Sequence, residues 1–213
     1  MKIREGFVSN SSSSSFIIID RSKNNYCEKA LKSFIKKVNI GAGHKYILNL
    51  PIKGGAKYFG REYKTFHKLS DRLNFMTLQF LEFEMYYGRK DDEVRRISDI
   101  IYNVIEKAVK TWDKDPFVSI RYDYNVFMYG SNDDFFEYYI DHQSSFSDGE
   151  NTEMFKSEES LYNFLFGRNS RIYMGSDELP WTEDFYRGLL EYYKGSTEDI
   201  SRINRQWKDY RNS

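Results

Sequence analysis

Two apolar stripes of helical period lie between residues 62 and 110, and they restrict the available architectures more than any other stretch. Leu69, Leu73, Met76, Phe80, Phe83 and Tyr87 recur in steps of three and four, which aligns them on one face of an α-helix. Gly88 can end that stripe, and Asp91-Asp92-Glu93 then places negative charge where the dipole of a following helix favours it. Val94, Ile97, Ile101, Val104 and Ala108 make a second seam, supported by Ile100, Ile105 and Val109. Two apolar faces joined by so short a connection cover each other, so residues 61–113 are expected to form a long antiparallel helical hairpin.

The other strong local signal is Phe16-Ile17-Ile18-Ile19, an unbroken apolar run entered directly from the serines Ser11, Ser12, Ser13, Ser14 and Ser15. β-Branched residues without polar alternation predict a strand covered on both faces. Residues 24–37, with Ala30, Leu31, Phe34 and Ile35 at helical spacing and lysines between, read as a helix with Gly41 just beyond its end. Residues 45–50 read as a second strand stopped by Pro51. A strand–helix–strand unit permits a parallel crossover, and antiparallel pairing stays open. Residues 117–129 and 135–141, separated by Gly130-Ser131-Asn132-Asp133, predict an antiparallel hairpin. Residues 144–156 read as a flexible loop, 171–174 as a short strand, and 157–166 and 181–194 as helices. Residues 196–213 read as a terminal basic amphipathic helix. Together these predict one α+β domain over residues 1–213, with a mixed sheet of about five or six strands packed by the hairpin and C-terminal helices.

Composition narrows the functional classes. Lys plus Arg and Asp plus Glu each number 32, so there is no global basic field for nucleic acid, although a local patch remains open. No apolar run reaches transmembrane length, and no apolar segment of signal-peptide length follows Lys2 and Arg4, so no membrane partner is expected. Cys27 is the single cysteine, which removes disulfides and cysteine-based zinc sites and fits a reducing, cytoplasmic compartment. With 18 tyrosines, 17 phenylalanines and 3 tryptophans, the aromatic content is high enough to supply both a ring-built core and a recognition surface.

Candidate chemistry is sparse. The serine run offers hydroxyls and backbone N–H groups that can form an anion-binding concavity, but it has neither the order nor the Gly-Lys-Ser/Thr ending of a phosphate loop. Lys53 and Lys57 flank Gly54-Gly55 in a loop without a phosphate-loop fingerprint. Lys29, Lys32, Lys36 and Lys37 give one basic face, and Arg205 and Lys208 beside Trp207 give another, able to track phosphates with a stacking ring. His67, Asp141 and His142 are the weak candidates for a metal, since imidazole and carboxylate suit one, yet no known ligand spacing links them. Cys27 among lysines can acquire a depressed pKa, though helical packing explains it more simply. Asp133 and Asp134 belong to turn chemistry. No catalytic motif emerges, and no cofactor is implied.

The opening Met1-Lys2-Ile3-Arg4, followed by GFVSNSSSSSFI, resembles an N-terminal signature of uncharacterised bacteriophage and prophage proteins. Phe164-Leu165-Phe166-Gly167-Arg168-Asn169-Ser170 and the stretch 140–144 are similar in style to C-terminal parts of such proteins. The resemblance implies a phage or prophage origin and carries no activity. The expected function is a non-enzymatic cytoplasmic protein that binds a host or phage protein through its aromatic surface. The alternatives are a nucleotide or nucleic-acid binding protein using the serines, Lys53, Lys57 or the terminal helix, and a metal-dependent hydrolase around His67, Asp141 and His142.

Overall fold

Helix α1 (Leu69–Tyr87) is buried on every side from Leu69 to Glu84, with two further helices and strands of two sheets packed on it. In this computed structural model the described residues are 14–22, 26–41, 43–59, 64–124, 138–140, 151–175, 183–192, 194 and 196–212. The fold is α+β, as expected, but its strands form smaller sheets than the single one predicted. Strands β1 (Ser14–Ile18), β5 (Lys64–Phe66) and β8 (Arg171–Gly175) make an antiparallel sheet in the order β1-β8-β5. Strands β2 (Ile35–Ile40), β3 (Gly43–Leu50) and β6 (Phe117–Tyr122) make a mixed sheet in the order β2-β3-β6. Strands β4 (Tyr58–Phe59) and β7 (Tyr139–Ile140) pair in parallel.

The hairpin of helices is present. Helix α2 (Asp92–Lys110) follows α1 after a four-residue link, and Asp91 caps it by accepting from the N–H groups of Glu93 and Val94. Its predicted seam is buried from Val94 to Val109. The stripe predicted for α1 understates that helix. Its opposite side carries Arg72, Asn74, Thr77, Gln79 and Glu82, and these are buried too. Such a helix needs internal partners for its polar groups. Asn74 accepts from Ile52 N (2.5 Å) and donates to the carbonyls of Ile52 and Ala56, while Asp71 accepts from Ala56 N. Arg72 donates to the carbonyls of Phe164 and Gly167 at 2.8 and 2.6 Å.

Several local expectations are corrected. Residues 24–37 are not one helix; a 3-10 helix, Glu28–Ser33, gives way to β2. Ile35, Val38 and Ile40 are β-branched and have a partner strand within reach, because Gly41 takes φ +56° and turns the chain into β3. The β2–β3 connection is therefore an antiparallel hairpin, and β1 lies in a different sheet from β3, so the two strands of the expected strand–helix–strand unit do not pair. β6 pairs with β3 in parallel and β7 with β4, so the predicted 117–129/135–141 hairpin is not formed by the described residues. The predicted loop 144–156 ends in a 3-10 helix, Asn151–Phe155, whose Met154 and Phe155 are buried in the core.

Strand β1 is covered on both faces, as its isoleucines imply. Ile17 and Ile19 pack into the main core, whereas Ile18 packs against a second cluster of Tyr173, Leu189 and Ile203. That second cluster lies under α4 (Glu183–Tyr192) and α5 (Thr197–Asn212). Helix α3 (Glu158–Phe166), capped by Ser157, closes the main core against α1 and α2.

Asn74 is expected to matter more than its neighbour Thr77, whose hydroxyl bonds only to Leu73 O within the helix. Asn74→Leu strands Ile52 N and Ala56 O and should cost about 3 kcal/mol, against about 1 kcal/mol or less for Thr77→Val. Urea unfolding midpoints at constant slope check this, and equal losses would contradict it.

Candidate interaction surfaces

Residues 14–22 meet the stretch 163–175 in the structure. Across the β1–β8 ladder Phe16 faces Tyr173 and Ile17 faces Ile172, and beyond that ladder Asp20 docks onto the turn that ends α3. Asp20 N donates to Ser170 Oγ at 2.8 Å, and Asp20 Oδ2 accepts from Asn169 N at 3.0 Å. Ser170 Oγ donates in turn to Asn163 O, and Tyr26 OH donates to Asn163 Oδ1. Burial pushes the Asp20 carboxyl up, but the donors of Ser22 and Asn169 outweigh it and hold the pKa below its ordinary value. Gly167 is required by contact: a Cβ there would stand 2.5 Å from Asn163 O and 2.9 Å from Asp20 O. Cys27 Sγ donates to Phe166 O at 3.1 Å beside Arg72. Every one of these groups is engaged with protein, so the cluster is a joint that fixes residues 20–27 against the end of α3.

The sequence candidates are dispersed. Ser11, Ser12, Ser13, Asp141 and His142 lie outside the described residues, as do Asp133 and Asp134. Ser14 and Ser15 pair with Gly175 and Met174 in extended backbone, where successive amides point to alternate sides and do not converge on an anion. Lys53 is exposed and Lys57 is half-buried, with its ammonium 5.6 Å from the centre of the Tyr138 ring. Their loop packs on α1: a Cβ on Gly55 would lie 2.6 Å from Asn74 Nδ2 and 2.7 Å from Ser70 O. Gly55 therefore serves close packing. Arg205 and Lys208 are exposed on α5, but Trp207 stacks on Tyr186 at 4.7 Å and 8° and is occupied in joining α5 to α4. His67 is exposed at the start of α1, while Asp71 is buried and already accepts from Ala56 N. Among the described residues no group of three or more His, Cys, Asp or Glu is placed to hold a metal ion.

Three surfaces emerge, of which the first and third could not be seen with residues 24–37 read as a helix. An open cleft of about 550 Å³ is lined by Lys32, Lys37, His44, Tyr46, Trp112 and Asp113. Lys32 sits over Trp112 (5.1 Å) and Lys37 over Tyr46 (5.7 Å), and Tyr46 OH donates to Asp113 Oδ2 at 2.6 Å. That bond, with burial of the ring, pushes the Tyr46 hydroxyl up to about 12 and holds Asp113 below the usual carboxylate range. A carboxylate and two lysines already seated on rings make this a poor anion receptor.

The second surface is the last turn of α1. Tyr86 is 80 % exposed and Met85 59 % exposed, and the rings of Phe83, Tyr87 and Tyr86 touch in series at 4.5 and 4.8 Å. Arg89 lies 4.4 Å over the Tyr124 ring and ion-pairs with Glu84 at 3.0 Å. Burial and a hydrogen bond to Glu84 push the Tyr124 hydroxyl up to about 12. Its sequence signal was the phase of the α1 stripe, which leaves Met85 and Tyr86 outside it.

The third is the outer face of the β2-β3-β6 sheet. Tyr46, Leu48 and Leu50 point inward, so Lys45, Ile47 and Asn49 point outward, and register brings Lys36, Phe117 and Arg121 to the same side. The inner face packs on the helices; Phe117 on the outer one is 58 % exposed. No helix of the described residues is long and apolar enough to cross a membrane. Comparison with protein-family models, curated proteins and solved structures finds no match for the chain.

Spectrophotometric titration tests the cleft. Wild-type minus Tyr46→Phe should reveal one tyrosine ionising near pH 12, and Asp113→Asn should return it toward about 10. Because the folded pKa is raised, its stabilisation is full below about pH 10 and is lost as the pH climbs to about 12. A Tyr46 midpoint unchanged by Asp113→Asn would contradict the assignment.

Proposed function

We propose that this chain is a non-enzymatic binding protein that docks another protein through the tyrosine-rich end of α1. The observation carrying this reading is the exposed series Met85, Tyr86 and Tyr87, continued by Phe83 and flanked by Arg89 and Tyr124. Tyr, Met and Arg are the residue types enriched where partners anchor, because they combine large apolar area with a polar tip at modest entropic cost. Burying such rings against water is unfavourable to forgo, and nothing among the described residues covers them. The pair Arg89–Glu84 holds the rim rigid through a carboxylate that is itself largely buried. A cytoplasmic setting suits the lone Cys27, and the resemblance of the opening segment makes a host or phage protein the expected partner.

Affinity capture from host lysate, run in parallel with wild-type protein and Tyr86→Ala, tests this reading. A protein retained by the wild type should be lost or bound about tenfold more weakly by the variant, whose stability is unaffected because the side chain is exposed. Recovery of no partner, or equal retention by both, would overturn it.

A further inference from the structure

The outer face of the β2-β3-β6 sheet differs from the rest of a chain whose charges balance. Its strands present Lys36, Lys45 and Arg121 and no carboxylate, since the residues sharing their side are apolar, hydroxyl, amide or glycine. None of the three cations has an ion-pair partner among the described residues. Phe117 stands in register with Lys45, whose ammonium lies 5.0 Å from the ring centre, and Arg121 follows four residues along the same strand. Four residues of strand separate the ring from the guanidinium by about 13 Å. Phe117 stays 58 % exposed although Lys45 sits by its ring, and three cations with a solvent-exposed ring on one sheet face are what sheets use to hold unstacked bases and their phosphates.

We propose that this sheet face binds single-stranded nucleic acid, with Lys36, Lys45 and Arg121 on phosphates and Phe117 against a base. Charge complementarity selects a polyanion, and the exposed ring selects one whose bases are free to stack. A duplex keeps its bases stacked internally and would gain only the charge. The face shares no residue with the tyrosine cluster of α1, so the two readings stand or fall separately.

Fluorescence anisotropy with labelled oligo-dT and oligo-U of about 15 nucleotides decides the matter. Three phosphate contacts predict binding that weakens roughly twentyfold between about 50 and 200 mM salt. Phe117→Ala should weaken binding about tenfold, and Lys45→Glu with Arg121→Glu should both weaken it further and flatten the salt dependence. Thermal melting verifies that the variants fold, and Tyr86→Ala serves as a control that leaves oligonucleotide binding unchanged. Absence of binding at about 50 mM salt, or wild-type affinity in the variants, would overturn the proposal. So would binding that resists Phe117→Ala while heparin competes equally, because that is attraction to any polyanion.

Discussion

A helix buried all round takes its polar side chains out of water, and the partners that Asp71, Arg72 and Asn74 find on other segments shape the fold around α1. Arg72 is the sharpest case: it is 2 % exposed, and its guanidinium reaches the carbonyls of Phe164 and Gly167 at the end of α3. Burial pulls its pKa below the ordinary value, against the pull of Cys27, Asp71 and Asp20. A cation there favours the negative end of the α3 dipole and satisfies carbonyls that have no partner within the helix. One turn of sequence around it, Asp71 and Asn74 fasten the 52–56 loop on another side. The polar residues of α1 thus specify which segments surround it, while the apolar ones supply the driving force.

The same corner explains why β1 and the residues just after it are tied to residues 163–175. Among the described residues β1 is an edge strand paired with β8. Asp20 extends that hold beyond the ladder, and Gly167 permits the approach because any side chain would collide with backbone. Ile17 and Ile18 then face two different apolar clusters, so the strand becomes the wall between the main core and the C-terminal helices.

What sequence reasoning could reach was set by period and length. The α2 seam is long and one-sided, so its burial was legible, as was the negative charge at its N-terminus. Residues 35–40 read Ile-Lys-Lys-Val-Asn-Ile, with no period of two, and Leu31, Phe34, Ile35 and Val38 fit a helix as well as a strand. Only the positive φ of Gly41 and pairing with β3 decide between them. Parallel partners such as β3 and β6, or β4 and β7, are far apart in the chain, and no local signal encodes them. The candidate sites followed the same rule. Lys36 and Lys37 looked like one basic helical face; in a strand they point to opposite sides, one to the open sheet face and one to the cleft. Trp207 looked free to stack on a base but is spent on Tyr186.

These features separate the parts of the molecule that hold it together from those offered to partners. Residue-resolved amide hydrogen exchange on the wild-type protein tests the central claim, that α1 is the enclosed organiser. The amides from Leu73 to Phe83, with those of Ile172 to Met174, should exchange slowest, at the rate of global unfolding. Exchange in α1 faster than in α2, by opening that leaves α2 protected, would contradict the account.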